Sequence, residues 1–289
     1  MSRLRSYEDF YSRETILKRV KDAYERFKET KTFEYPAWHY GPPKGNLFKV
    51  EVEDCPGFGD TAYLEMDSAR TAVLCIDMQT DFCAEGGFVQ AMGYDISPTR
   101  ALIEPIKSVF NTVRGTDIRI IHTRQGNEPD LSDATFNWLL RMKISTGGVG
   151  VGETPPGGLG PILVRGEKNW DIIDELYPEK GDFVIDKAGR GAFGSSEIHM
   201  TLKNLGIQYV VTFGVTTDVC VHTITRELCD FGYWTVLIKD CTAATDYECY
   251  KGAIKSIKMQ GGIFGNVSDS KRFVEAVEGQ LKKTNKTDP

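Results

Sequence analysis

The sequence predicts an α/β protein: a three-layer α/β/α sandwich with a six-stranded, mostly parallel sheet, carrying an N-terminal arm. Two patterns predict it. From about residue 67, short apolar runs alternate with stretches of helical periodicity, as βαβ units require. The runs are nearly continuously apolar, the mark of strands covered on both faces. Helices linking such strands cross over right-handedly and cover the sheet from both sides.

In chain order, residues 14–28 place Ile16, Leu17, Val20, Tyr24 and Phe27 near helical spacing. The stretch Tyr35-Pro-Ala-Trp-His-Tyr-Gly-Pro-Pro-Lys44 is too rich in Pro and Gly for a long regular element. Residues 1–60 therefore read as a helical and irregular arm that packs on the main domain or on a neighbouring subunit. The main domain covers 61–278, and 279–289 is a polar tail. Its strands fall at 72–77, 118–123, 183–187, 209–215, 234–239 and 262–264. Ser97 and Pro98 open a helix that Gly115 ends, with Pro105 bending it. Ser195 or Ser196 caps a helix bearing Ile198, Leu202 and Leu205. After the fourth strand, Val221, Ile224, Leu228 and Phe231 recur at helical spacing, and a further helix covers 247–259. Residues 145–160 are rich in Gly and Pro, and so long an irregular stretch is more often functional or interface-forming than idle.

Bulk properties exclude several function classes. The 289 residues carry 35 Lys and Arg against 41 Asp and Glu, a net charge of −6, with a pI near 5.4. No basic stripe offsets that charge, which argues against nucleic acid as a partner. No apolar run approaches the roughly 20 residues of a membrane span, and the N-terminus lacks the apolar core of a signal peptide. None of the seven cysteines lies in a CxxC pair, so neither a zinc ribbon nor a thioredoxin-type motif is suggested, and a reducing cytoplasm is the expected compartment. Four histidines, none closely paired, argue against a histidine-rich metal site.

Three residues point to chemistry. Cys220 follows the fourth strand and is followed at once by a helical pattern. At such a junction the helix dipole is expected to lower the thiol's pKa, and unpartnered N–H groups are expected to receive an oxyanion. In open α/β sheets, ligands gather beyond the carboxyl ends of the strands. Asp77 ends the first strand and Lys187 the third, so the expectation is that three successive inner strands bring all three groups together. A carboxylate takes the thiol's proton and later activates water, while an ammonium favours the thiolate. Singly, a packing cysteine, a turn-forming aspartate and a solvated lysine are the commoner readings; jointly, at one end of one sheet, they favour catalysis. Asp81 and Asp218 read as turn formers or ion-pair partners.

The phrases Cys75-Ile-Asp-Met-Gln-Thr-Asp-Phe-Cys83, Val184-Ile-Asp-Lys187 and Gly214-Val-Thr-Thr-Asp-Val-Cys-Val221 resemble the isochorismatase-like cysteine hydrolases. Within that family the resemblance is strongest to the biuret hydrolase group, with ureidoacrylate and triuret hydrolases nearby. Supporting phrases include His122-Thr-Arg124, Asp240-Cys-Thr-Ala-Ala-Thr-Asp246 and Lys258-Met-Gln-Gly-Gly262, and the resemblance runs over about residues 68–277. It implies a catalytic triad of Asp77, Lys187 and Cys220, a non-proline cis bond between Val215 and Thr216, and an oxyanion hole from the N–H groups of Thr216 and Cys220. It places Gln260 against the substrate's amide and urea groups and Phe82 in the pocket wall. Arg124 either holds a polar or carboxylate group of the substrate or ties down the Gly-rich loop. The metal-binding phrase of related nicotinamidases is absent, so no metal and no other cofactor is expected. Family members are commonly dimers or tetramers, so a homo-oligomer is expected.

The activity so implied is hydrolysis of a C–N bond in a small urea-like amide. Biuret comes first, giving urea-1-carboxylate and ammonia through a thioester. Ureidoacrylate, triuret, N-carbamoyl amino acids and nicotinamide are alternative substrates of the same chemistry. Isochorismatase-type vinyl-ether cleavage, which forms no acyl intermediate, and a non-catalytic effector or binding protein are alternatives of other classes.

Overall fold

The computed structural model describes residues 12–53 and 61–281. Most of the polar tail, the first residues of the arm and Cys55 lie outside the described residues. Nine strands are present among them: β1 (Thr32–Phe33), β2 (Leu47–Val52), β3 (Ala62–Asp67), β4 (Thr71–Ile76), β5 (Arg119–Gln125), β6 (Phe183–Lys187), β7 (Tyr209–Val215), β8 (Trp234–Ala243) and β9 (Asn266–Ser268). The longer helices are α1 (Arg13–Thr30), α2 (Ile103–Val113), α3 (Phe136–Ser145), α4 (Ile198–Asn204), α5 (His222–Asp230), α6 (Tyr247–Gly262) and α7 (Ser270–Gln280).

The main sheet has six strands in the order β6-β5-β4-β7-β8-β9, every neighbouring pair parallel. That is the doubly wound α/β arrangement: the chain starts in the middle, winds to one edge, then returns and winds to the other. The switch point lies between β4 and β7. Side chains alternate across the sheet into two cores. Val73 and Cys75 of β4 join Ile106 and Phe110 of α2 and Phe273 of α7 on one face. Ala72, Leu74 and Ile76 join Leu202 of α4, Ile224 of α5 and Ile257 of α6 on the other.

Four features depart from the sequence reading. The arm is more ordered than an irregular segment, because β2 pairs antiparallel with β3 and β1 pairs parallel with β3 in a separate three-stranded sheet. Phe48, Val50 and Val52 of β2 are fully buried there. The sixth strand is displaced from 262–264 to β9, because Gln260, Gly261, Gly262 and Gly265 all adopt positive φ and turn the chain first. Gly265 (φ +128°) lies so close to Thr235 that a Cβ would overlap its hydroxyl. The helix expected from Ser97 to Gly115 is split: a turn at Ser97–Arg100 precedes α2. Pro105, lacking an N–H, leaves the carbonyl four residues back without its helical donor. Finally, α3 was not anticipated.

Two of the three catalytic candidates come from the strands flanking the switch point, but Lys187 does not. It ends β6, the edge strand, with β5 between it and β4. No helix among the described residues is long and apolar enough to cross a membrane.

Candidate active site

The carboxyl end of β4 delivers Asp77 with a left-handed backbone (φ 53°) and no solvent exposure. Its N–H is held by Thr123 of β5, through the carbonyl at 3.1 Å and the hydroxyl at 3.2 Å. Thr123 Oγ1 in turn donates to Asp77 Oδ1 at 2.7 Å. The other carboxylate oxygen, Oδ2, faces Lys187 Nζ at 2.8 Å without an aligned hydrogen bond. One oxygen is therefore committed and the other keeps a lone pair for a proton.

Lys187 is fully buried, and its long side chain spans the width of β5 to make that ion pair. Its ammonium also donates to the carbonyls of Gly189 at 2.9 Å and Arg190 at 3.2 Å. Burial alone would lower its pKa, but the charge of Asp77 and the neighbouring Cys220 outweigh this and raise it. A buried charge held by a partner and two carbonyls is the arrangement that makes such burial tolerable.

Cys220 is 4% exposed and sits on a single wide turn, Thr217–Val221, between β7 and α5. The turn closes when Val221 N bonds Thr216 O at 3.2 Å. Wide turns of this kind re-aim side chains at functional sites. The Val215–Thr216 peptide is cis. Cys220 Sγ donates to Gln125 Oε1 at 3.1 Å, and both Asp77 and Lys187 act on the sulfur through hydrogen-bonding and charge interactions.

The electrostatics differ from the expectation of a pre-formed thiolate. Burial pushes the Cys220 thiol well above its ordinary range; Lys187 and Arg190 oppose this, and Asp77 reinforces it. Desolvation of the buried sulfur is the largest of these influences. The direction of the shift favours the thiol form before attack, and Asp77 is the group placed to take its proton.

Above the sulfur lies a cavity of ≈ 280 Å³. Phe82, Thr216 and Cys220 line it, with Gln125, Trp138 and Arg190. Phe82, on the helical turn Thr80–Cys83, stands edge-on to Phe88 with ring centroids 6.4 Å apart. The neighbouring Asp81 accepts from Leu163 N and Asn169 Nδ2, both at 2.9 Å. It thereby pins the segment after the Gly-rich stretch against the cavity wall, where Leu163 lies. Among the described residues no group of three or more His, Cys, Asp or Glu side chains converges as a metal site would.

Two assigned residues lie elsewhere. Arg124 does not line the cavity: its guanidinium pairs with Asp186 at 2.8 Å and Asp171 at 2.9 Å and lies 4.0 Å from the Trp170 ring centroid. These partners lie outside the Gly-rich stretch 145–160, so Arg124 ties the end of β5 to β6 and to the segment around Asp171. Gln260 is exposed at the far end of α6. That helix starts beside the site and runs back antiparallel to the strands, which carries Gln260 roughly 20 Å along its axis. The amide in the site belongs instead to Gln125, which is paired with Lys187 in the β5–β6 register. Alternation along a strand offers the signal that finds it: if Arg124 faces one side of the sheet, Gln125 faces the other.

A family model described as "Isochorismatase domain" matches residues 71–271. Among curated proteins, the ureidoacrylate amidohydrolase RutB of Yersinia enterocolitica is 29% identical over 216 residues, covering 73% of this chain and 90% of the relative. The RutB of Acinetobacter baylyi is 27% identical over 249 residues, covering 83% and 94%. Among solved structures, a cysteine hydrolase from Pseudomonas syringae superposes with a TM-score of 0.62 at 21% identity, covering 74% of this chain and 95% of that one. N-carbamoylsarcosine amidase from Thermoplasma acidophilum superposes with a TM-score of 0.52 at 20% identity, covering 70% and 96%. At such identities these two show a shared fold.

Proposed function

The chain belongs to the isochorismatase family, and on that premise we propose that it is a cysteine-dependent amidohydrolase that cleaves a C–N bond of a small urea-like amide. The observation that carries the reading is the buried Asp77–Lys187 ion pair set against the Cys220 sulfur at the floor of a small cavity. Support also comes from relatives whose names state an amidohydrolase activity.

The proposed cycle follows from the contacts. The substrate carbonyl carbon meets Cys220 Sγ, and Asp77 Oδ2 takes the thiol proton as the S–C bond forms. The carbonyl π pair moves to oxygen, where the N–H groups of Thr216 and Cys220 receive it. The intermediate collapses as the C–N bond breaks and Asp77 returns the proton to the departing nitrogen. Asp77 then deprotonates a water that attacks the thioester; the C–S bond breaks and sulfur is reprotonated. Lys187 offsets the negative charge throughout.

Biuret and ureidoacrylate are the leading substrates of this class. The first rests on the sequence phrases, the second on the names of the relatives. Biuret would lose ammonia to leave urea-1-carboxylate; ureidoacrylate would lose its amine and leave carbamate, which decays to ammonia. Both are followed by ammonia release. Cys220→Ala should abolish release of ammonia from either compound with an unchanged circular dichroism spectrum, and acid-quenched wild type should carry a substrate-derived adduct on the Cys220 peptide. Turnover by the alanine variant would exclude the mechanism.

A further inference from the structure

The wall above Cys220 is mainly apolar and aromatic, and among the described residues Arg190 is the only charged one lining it. Its guanidinium carbon lies 3.9 Å from the centroid of the Trp138 ring. Two other arginines near this end of the sheet are each neutralised by two carboxylates: Arg124 by Asp171 and Asp186, Arg165 by Glu128 and Asp133. Arg190 has no such partner among the described residues, and the titratable groups that act on it are Cys220 and Arg141. Its backbone carbonyl accepts from the Lys187 ammonium at 3.2 Å, which fixes the turn that carries its side chain into the cavity wall.

An arginine held over an indole with no carboxylate partner keeps N–H donors free for a planar anion, and a carboxylate fits that fork with two parallel hydrogen bonds. Arg190 is exposed, so its charge is solvated and its N–H edge is open to an entering anion, whereas a neutral ligand such as biuret supplies no counter-charge. The cavity's ≈ 280 Å³ lies at the small end of ligand pockets, which restricts the distance between the reacting carbonyl and the anion.

We propose that Arg190, supported by Trp138, is the specificity-determining residue that selects a substrate bearing a carboxylate. The substrate class is then a ureido acid: a carbamoyl nitrogen joined to a carboxylate through a short carbon spacer. This rests on the amidohydrolase reading above. The carbamoyl carbon sits on Cys220 and the carboxylate on Arg190, so that charge recognition at the mouth orients the bond to be broken at the floor.

The test compares 3-ureidopropionate, which is anionic, with its neutral primary amide and with biuret. For turnover, the ratio of kcat/KM for the acid to that for the amide should favour the acid in the wild type. It should fall by about tenfold or more in Arg190→Met, chiefly through KM, with Arg190→Lys keeping an intermediate ratio. An unchanged ratio in Arg190→Met, or a wild type that prefers the neutral amide or biuret, would overturn the inference while leaving the amidohydrolase reading intact. A binding arm separates the two ideas. Cys220→Ala cannot turn over, and titrated calorimetrically it should bind 3-ureidopropionate more tightly than the amide, a preference lost in Cys220→Ala with Arg190→Met. If that preference is seen but the wild type hydrolyses none of the three compounds, the activity is wrong and the anion site stands. Equal binding of acid and amide rejects the anion site.

Discussion

Gln79 and Gln125 clasp one another between the ends of β4 and β5: Gln125 N donates to Gln79 Oε1 at 2.7 Å, and Gln79 Nε2 donates back to the Gln125 carbonyl at 3.0 Å. Gln79 Nε2 also reaches the carbonyl of Trp170. Gln79 is fully buried and does not line the cavity; its effect is to fix the backbone from which Gln125 offers Oε1 to the Cys220 thiol.

Gln79→Ala strands three buried backbone groups at once. The expected cost is about 3 kcal/mol, from roughly 1–3 kcal/mol per unsatisfied group with partial rescue by water. For a chain of this size that lowers Tm by roughly 6–12 °C. Gln79→Glu keeps the acceptor for Gln125 N and should recover part of the loss. Scanning calorimetry decides: an alanine variant melting within 2 °C of wild type would show that the clasp contributes little.

Lys187 and Asp77 form a neutral pair with no solvent contact, so their removal should be strongly non-additive. Lys187→Met leaves the Asp77 carboxylate uncompensated and is expected to destabilise by about 3–5 kcal/mol. Adding Asp77→Asn removes the stranded charge, and the double variant should regain most of that stability in urea melts. Both should be inactive, because one lacks the counter-charge and the other lacks the proton acceptor. A double variant no more stable than Lys187→Met alone would mean that the pair is not coupled as the 2.8 Å contact requires.

How far this site could be read from sequence depends on which physical signal each residue carries. Asp77, Lys187 and Cys220 stand at or just beyond the carboxyl ends of apolar runs, and a parallel sheet puts such ends along one side. That much is legible. The strand order is not, which is why Lys187 was expected on an inner strand although it reaches the site from the edge. Gln125 lies just past the phrase read as the end of its strand, and a one-residue choice in a period-2 element selects the opposite face. Arg190 follows Lys187 in a Gly-containing turn where no periodicity exists to follow. Gln260 was misplaced because a helix after a parallel strand returns the chain to the opposite end of the sheet. The arm's β2 was readable: from Phe48 the run Phe48-Lys-Val-Glu-Val52 alternates apolar and charged side chains, and Phe48, Val50 and Val52 are the buried ones.

Asp81 gives the fold a pH dependence of definite sign. Burial pushes its carboxyl up to about 6, although Asn169 and the Leu163 N–H oppose the shift. In the unfolded chain it titrates near its ordinary value, so between roughly pH 4 and 6 the folded state binds the additional proton. The contribution is fully present below pH 4 and is lost as pH rises through 6, on the order of 2–3 kcal/mol in all. Asp81→Asn removes this titration. Unfolding free energies of the two proteins at pH 4, 5, 6 and 7 should therefore diverge with rising pH in favour of the asparagine variant. Parallel curves across that range would place Asp81 in a wetter environment than its contacts describe.

Gly214 lies where β7 meets β4, paired with Ile76 immediately before Asp77. Its φ of +114° is one that L side chains rarely adopt, and an added Cβ would sit 2.1 Å from the Ile76 carbonyl oxygen and 2.6 Å from its nitrogen. The obstacle is backbone of a central strand, so no rotamer change relieves it. Gly214→Ala should cost about 3 kcal/mol or more, combining strain and overlap, and any folded fraction should have displaced Asp77 and lost activity. Gly252, in α6, is the matched control: its Cβ would meet nothing within 4 Å. Gly252→Ala should instead stabilise by about 0.5–1 kcal/mol through helix propensity and a less disordered unfolded chain. Urea denaturation of both variants tests the contrast, and a Gly214→Ala protein as stable and active as wild type would mean that β4 and β7 do not meet as closely as described.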